Sequence, residues 1–507
     1  MRSVLLSFLL IALLISASAT EDGWPMWMAD GGSAANGQPP SDRQGPLPRP
    51  RPAWTSEARF GGARGPDGRR GRPDRRTGAI QSSETPSGAG HASPIAINGK
   101  IFMYHSRPSG DVFCKSIARS WEASNEDLVA KRQARNDNLI MGHDRWQVSA
   151  TDVLTCIDAA TGRTIWQSDL GHEALNFNIG VKSGGGVTPA YHRGQVYVLG
   201  TGGHLYCVSA DNGQVRWTAD IGERALMQRY YREQAMTWYG PAPHFRSDFL
   251  SAVVAADGVV VVCDHMRHRV ALGGHSADFH YERNSGVMAF DAATGRRLWH
   301  QPGLGGNKAP TIWRHADKAY VIATGNQETH LIDLRSGDIL WRAPFGHSAT
   351  SLRVSPAAAG PYLVVNQSQA DGTYLAVYRL GLDQAQAVWS VPGTPTGNVT
   401  IVGDHLYAIW DGALTCFELA TGQEVFRQEH RTSGNAFLLA YNGLLIASGR
   451  GGITVMPADP QHGGQPAHAI QIPLTRGYDS VVMPAFTNGM MFVRTDNWTI
   501  EAFHIGF

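Results

Sequence analysis

Short apolar stretches broken by polar turn residues run along most of this chain, and one such pattern recurs. Ala289-Phe290-Asp291-Ala292-Ala293-Thr294-Gly295-Arg296-Arg297-Leu298-Trp299 is a clear copy. Cys156 to Trp166 repeats it, with Asp158, Thr161 and Gly162 in the same places. Cys207 to Trp217, Leu331 to Trp341 and Cys416 to Phe426 are variants. Each predicts a strand, a tight turn and a return strand. The Asp ends the first strand. A Thr-Gly pair, or Asn-Gly or Ser-Gly, makes the turn with glycine at positive φ. The Trp lies on the return strand. Units spaced by roughly 40 to 50 residues indicate a propeller or another repeat array.

Four strands per blade, A to D from the centre outwards, predict an all-β fold: one eight-bladed propeller with helical or irregular loop insertions on one face. Seven blades is the alternative if one degenerate unit is not a blade. Blade one begins at Ala92 to Ile97 and the Asn98-Gly99 turn, and later blades begin near 186, 250, 307, 350, 398, 435 and 478. The last is incomplete. Ile500 to His504 matches the start of the repeat, and the chain stops before the turn. The missing half stands at the other end: Trp54-Thr55-Ser56-Glu57 resembles Trp166-Gln167-Ser168-Asp169 and has no strand–turn unit before it. Arg51 to Ser56 is therefore expected to close the ring, leaving no open sheet edge.

Composition adds boundaries. Arg2, the apolar run Val4 to Ile15 and Ser16-Ala17-Ser18-Ala19 predict an export signal cleaved after Ala19. The run is short for a membrane span, no later stretch is long enough, and no Cys near the site suggests a lipoprotein. Residues 20–90 form a Gly-, Pro- and Arg-rich segment that opens on the compact aromatic Gly23-Trp24-Pro25-Met26-Trp27 and contributes the closing strand. Its arginines from Arg64 to Arg76 read as a solvated loop. Residues 91–507 form the propeller. A net charge of +1 gives no general pull toward nucleic acid. Of the five cysteines, Cys156, Cys207 and Cys416 occupy the repeat position held by Ala289, so they read as core residues. There is no CxxCH haem site.

The AxDxxTGxxxW pattern resembles the tryptophan-docking repeat of the PQQ-type, quinoprotein alcohol dehydrogenase-like propellers. The resemblance covers roughly residues 50 to 507. That superfamily holds both PQQ-dependent dehydrogenases and non-enzymatic outer-membrane assembly scaffolds of the BamB type. It implies that Trp54, Trp166, Trp217, Trp299, Trp341 and Trp389 pack between blades. PQQ and calcium are cofactors by this resemblance only. The adjacent-cysteine pair and haem domain seen among family dehydrogenases are missing, and the catalytic Asp and calcium ligands are not assigned residue by residue, Asp479 being the one candidate for that Asp.

Candidate chemistry lies where the repeat is interrupted. The long connections are B-to-C or D-to-A: His105 to Ser149, His172 to Gly184, Gly222 to Asp248 and His265 to Ser285. Alternating strands place them all on one face, and long loops on rigid scaffolds commonly carry function. The first predicts a helix around Ser120 to Arg135. His143, Arg145, Trp146, Trp238, His244 and Arg246 mix aromatic and basic groups suited to a flat or anionic ligand. His265, His268, His275 and His280, with Asp264 and Asp278, are a weak metal set of no known spacing. At the starts of the innermost strands, His91, Ser93, Thr188, Asn307, Lys308, Asn398, Thr400, Asn435, Tyr478 and Asp479 converge on the channel mouth. They suit a small polar ligand or a water-filled opening. The leading expectation is an exported scaffold that binds a protein partner through the loop face and channel. The alternative is a periplasmic PQQ-dependent oxidoreductase acting on an alcohol or sugar. A hydrolase or metal enzyme finds no nucleophile elbow or zincin motif.

Overall fold

The computed structural model describes residues 23–31, 35–36, 49–60, 92–114, 146–177, 187–200, 203–221, 252–264, 268–272, 275–279, 286–304, 309–325, 327–346, 355–430, 437–449, 452–461, 470–472, 483–495 and 499–505. Eight antiparallel sheets, each with four blade strands, form an eight-bladed propeller, and the seven-bladed alternative is set aside. Blade one holds Ile95–Ile97, Lys100–Cys114, Trp146–Asp158 and Thr164–Phe177. Blade three is typical, with Val254–Ala256, Val259–Asp264, Gly286–Asp291 and Arg297–Pro302. The expected closure is present. Arg51–Thr55 pairs antiparallel with Ile500–His504 as the outer strand of blade eight, with Trp54 opposite Ala502.

Burial falls from the axis outwards. The inner strands Ile95–Ile97, Val254–Ala256 and Thr400–Val402 are wholly buried. The outer strands Val215–Asp220 and Glu424–Glu429 alternate toward solvent, as expected of a sheet with one wet face. The apolar clusters therefore lie between neighbouring sheets.

The repeat turns of blades one, three and four are built in the same way. The Asp158 carboxylate accepts from the backbone N–H of Ala160 and Thr161 and from the Thr161 hydroxyl. Asp291 does the same with Ala293 and Thr294, and Asp333 accepts from the N–H groups of Arg335 and Ser336. Glycine follows at φ 75° in Gly162 and 73° in Gly295. A bulge accompanies the turn. The register shifts immediately after the Cys156–Trp166, Cys207–Trp217, Ala289–Trp299, Leu331–Trp341, Val377–Trp389 and Cys416–Phe426 pairs. A bulge increases local twist and re-aims the side chain beside it. Here that side chain is the tryptophan, or Phe426 in blade six.

The tryptophans lie against the next blade. Trp217 covers Gly295, where a Cβ would come within 2.5 Å of the indole, and Trp54 covers Gly162 at the same spacing. Trp166, Trp299 and Trp389 cover Gly213, Gly337 and Gly422. The indole N–H groups donate to backbone carbonyls of the following blade: Trp54 to Ala159, Trp166 to Ala210, Trp217 to Ala292, Trp299 to Leu334, Trp341 to Gly381 and Trp389 to Leu419. Trp299→Ala removes both the apolar cover and the bond. It is expected to lower unfolding free energy by about 3–5 kcal/mol. Leu340→Ala, at a 39% exposed position on an outer strand, is expected to stay within about 0.5 kcal/mol of the parent. Urea denaturation of the two variants separates these outcomes.

Candidate functional site

The channel mouth expected from the inner-strand starts is where sequence and structure differ most. His91, Asn307, Lys308, Asn435, Tyr478 and Asp479 lie outside the described residues. The described members are committed to holding blades together. The buried Asn398 amide donates to the Leu438 carbonyl at 2.5 Å, and its carbonyl oxygen accepts from the Leu438 N–H at 3.1 Å. The Thr400 hydroxyl donates to the same carbonyl. The Ser93 N–H donates to the Thr188 hydroxyl, and the Met483 N–H donates to the Ser93 hydroxyl. The Val253 N–H donates to the Thr188 carbonyl. These groups stitch blade six to seven, eight to one, one to two and two to three. They do not form a free ligand set.

Moreover, the axis is filled by the chain itself. Gly23–Trp24 adds a strand to the inner edge of blade one, with Gly23 opposite Ile97 and Trp24 opposite Ala96. The Pro25 carbonyl accepts from the Tyr191 N–H of blade two. The Trp27 indole donates to the Ser355 hydroxyl at the start of blade five. Trp24 packs edge-on against Phe486 of blade eight. Ala35–Asn36 then pairs parallel with Ala440–Tyr441 of blade seven. Trp24, Trp27, Met28 and Ala29 are all buried. The sequence marked this stretch only as aromatic and assigned it no place. Its Trp-x-x-Trp spacing in an otherwise polar segment was the available signal.

This occupancy tests the implied cofactor. A planar quinone on the axis would overlap Trp24, Trp27 and Met28, and the described polar groups beside them already bond to backbone. The described residues of the channel do not fit PQQ. Nor do the described residues bring three His, Cys, Asp or Glu side chains together in a metal-sized group. Within the weak histidine set, His265 and His280 lie outside the described residues. His268 and His275 fall on a two-stranded hairpin, His268 opposite Phe279 and His275 opposite Leu272. Four ladder steps separate them, about 13 Å along the strand, too far to share one ion.

On the loop face, His143, Arg145, Trp238, His244 and Arg246 and the expected helix over 120–135 lie outside the described residues. What is described differs from a plain loop. The described parts of the first two insertions are strand. Lys100–Cys114 pairs with Trp146–Asp158 as far as Cys114 opposite Trp146, and Trp146–Asp158 pairs with Thr164–Phe177 as far as Gln147 opposite Phe177. Trp146 thus begins the middle strand. With 15, 13 and 14 residues, these strands are the longest described. The inner strand of blade one is only Ile95–Ile97, so the outer three continue past it as an arm.

The base of the arm is tied down. The Tyr104 hydroxyl donates to the buried Asp152 carboxylate at 2.7 Å, and Arg107 pairs with Asp169 at 2.5 Å. His105, buried beside the edge of Phe60, reaches the Thr155 hydroxyl through Nε2 at 3.3 Å. Burial, then the positive charges of Arg494 and Arg107, lower its pKa to about 3. Elsewhere burial pushes the thiols of Cys156, Cys207 and Cys416 up to about 12, so none is a nucleophile at neutral pH. They are free and buried, as their repeat position predicts.

A cleft absent from the sequence reading lies on the opposite, turn-bearing face between blades two and three. It measures about 550 Å³, and His192, Arg193, Tyr197, Arg216, Asp257 and Arg335 are among its lining residues. Asp257 is already engaged, its carboxylate by Arg314 and its carbonyl by Arg335.

A family model described as outer membrane protein assembly factor BamB matches residues 150–428, more than half of the chain. The outer membrane protein assembly factor BamB of Yersinia pestis is 26% identical over 330 residues, covering 59% of this chain and 78% of that protein. Among solved structures, BamB from Moraxella catarrhalis aligns over 71% of this chain and 91% of that one, with 13% identity and a TM-score of 0.46. Quinohemoprotein alcohol dehydrogenase from Comamonas testosteroni aligns over 96% and 81%, with 13% identity and a TM-score of 0.42.

His105 makes the arm base acid-sensitive. It stays neutral in the folded protein down to about pH 3, whereas the unfolded chain binds its proton below about pH 6.5. Its stabilising share is therefore complete above pH 6.5 and is lost as pH falls toward 3. The slope approaches about 1.4 kcal/mol per pH unit. His105→Gln is expected to flatten the stability curve between pH 6 and 4 relative to the parent, measured by urea denaturation.

Proposed function

The chain belongs to the outer membrane protein assembly factor BamB family, and on that premise we propose that it is an exported, non-catalytic scaffold that holds a protein partner against its loop-bearing face. The observation that carries this reading is the three-stranded arm of blade one. Beyond the inner strand of that blade, no described strand covers either edge of the arm. An uncovered edge is a template for an added strand, and β-augmentation of this kind gives affinity through main-chain hydrogen bonds. The two edges differ. The inner edge carries Pro108 and a register break between Pro108 and Val112, and both features discourage pairing. The outer edge also shifts register, between Asp169 and Ala174, but from Gly171 to Phe177 it carries no proline and is the expected seat for an extended partner segment.

The relative's name places that protein in outer membrane assembly, so a cell-envelope protein is the expected class of partner. Export is supported by the apolar run Val4 to Ile15 and the Ser16 to Ala19 site, with 1–19 removed, 20–90 contributing the closing strand near 51–56 and 91–507 forming the rest of the propeller. No helix among the described residues is long and apolar enough to cross a membrane. Among the described residues of the channel, the dehydrogenase alternative has no supporting observation.

Two measurements test the reading. Deletion of Asp111 to Asp144 shortens the arm and leaves the ring strands intact. It is expected to abolish association with an envelope partner captured by photo-crosslinking from arm position 175, with the thermal transition of the propeller retained. Association unchanged by the deletion would move the partner site elsewhere. Mixing the purified chain with micromolar PQQ and calcium is expected to leave no quinone absorbance after gel filtration and no dye reduction. Retained quinone with turnover would restore the oxidoreductase reading.

A further inference from the structure

The residues on the axis have the marks of a bound ligand. Gly23 fits against blade one only because it lacks a side chain, since a Cβ there would collide with the Ala96 carbonyl and with Ile97. Trp24 and Trp27 are 2% and 6% exposed. Main-chain pairing supplies one edge, two indoles fill apolar space, and the indole N–H of Trp27 finds a hydroxyl. This is strand addition with side-chain pockets. The reversal is also imposed by the site. Met28 and Ala29 hold successive positive-φ conformations, at φ 56° and 63°, while only 1% exposed. Non-glycine residues persist there only where their surroundings over-determine them.

The path has a direction. Gly23 lies opposite Ile97, next to the Asn98-Gly99 turn, so the segment enters from the turn-bearing end. Trp27 reaches Ser355, which precedes the inner strand of blade five at the loop-bearing end. Ala35–Asn36 then runs parallel to Ala440–Tyr441, toward the Asn442-Gly443 turn. The segment goes in and comes out at one end, like a hairpin pushed into a socket.

We propose that the central channel is a binding site for an extended, tryptophan-bearing peptide, and that residues 23–36 are its resident ligand, held by their own affinity as well as by the covalent connection. Vacating the socket should then let the same peptide bind from solution. The test uses the full chain carrying Trp24→Ala and Trp27→Ala, and a labelled synthetic peptide of residues 21–36. The peptide is expected to bind the double variant and to be excluded from the parent, by fluorescence anisotropy. A peptide with the same two alanines should bind at least about 100-fold more weakly, the loss two buried tryptophans imply. Equal binding to parent and variant, or binding to neither, overturns the proposal. If the double variant does not fold alone, it is refolded from urea with and without the peptide. Recovery of the folded fraction only with the tryptophan peptide supports the socket, and no recovery overturns it. Neither readout involves the arm or an envelope partner.

Discussion

The contact between a tryptophan on one blade and a turn glycine on the next is the constraint on which the ring depends. An indole can lie flat on the neighbouring turn only if that turn has no Cβ, and the same turn needs positive φ. Glycine meets both demands at one position. The bond that accompanies the contact is part of a relay. The Ala159 carbonyl accepts from Trp54 of blade eight, while the Ala159 N–H donates to the Gly99 carbonyl in the first turn of its own blade. Ala210 and Ala292 repeat this with Gly194 and Gly258. One residue thus joins the inner turn, the outer turn and the neighbouring blade. Loss of an indole loosens all three.

The relay explains why the repeat was legible. Asp, Thr and Gly at fixed spacing satisfy local backbone geometry, and Trp follows at the position the bulge aims outward. These are short-range demands, so they leave a short-range signature. Closure of the ring was legible for the same reason, because Trp54 and Ala502 are two halves of one unit. The candidate site was less so. Asn398 and Thr188 were grouped correctly as inner-strand polar residues, but polarity at a strand start reads alike whether the group faces a ligand or ties two blades. Only the partner distinguishes them, and the partner of Asn398 is backbone 40 residues away. The axis-filling segment was legible as aromatic and illegible as to place, since its contacts lie from about 70 to more than 450 residues along the chain. The arm was hidden because strand extensions in blade one carry no repeat signature.

Not every junction uses the indole. Blade six carries Phe426 where a tryptophan stands elsewhere, and a phenyl ring has no N–H to give. Blade seven replaces the turn motif altogether, and its outer strand is only Ile470–Ile472. Other interactions stand in at these two seams. Between blades six and seven, Asn398 grips both backbone groups of Leu438. Between seven and eight, Tyr441 stacks on Phe486 at 4.9 Å, and its hydroxyl accepts from the Gly489 N–H.

That distribution gives the axial segment a structural reason. Its returning strand, Ala35–Asn36, adds to the inner edge of blade seven, the blade with no tryptophan lock on either side. Its entering strand adds to blade one, beside the seam that the closing strand must seal. Trp24 meanwhile meets Phe486, the ring that also stacks on Tyr441. The segment is therefore attached where the repeat is weakest and where the ring is joined. A channel held in this way is a poor place for a diffusible cofactor and a good place for a brace. The arm rises from blade one, where the regular pattern keeps its inner turns and abandons its strand lengths.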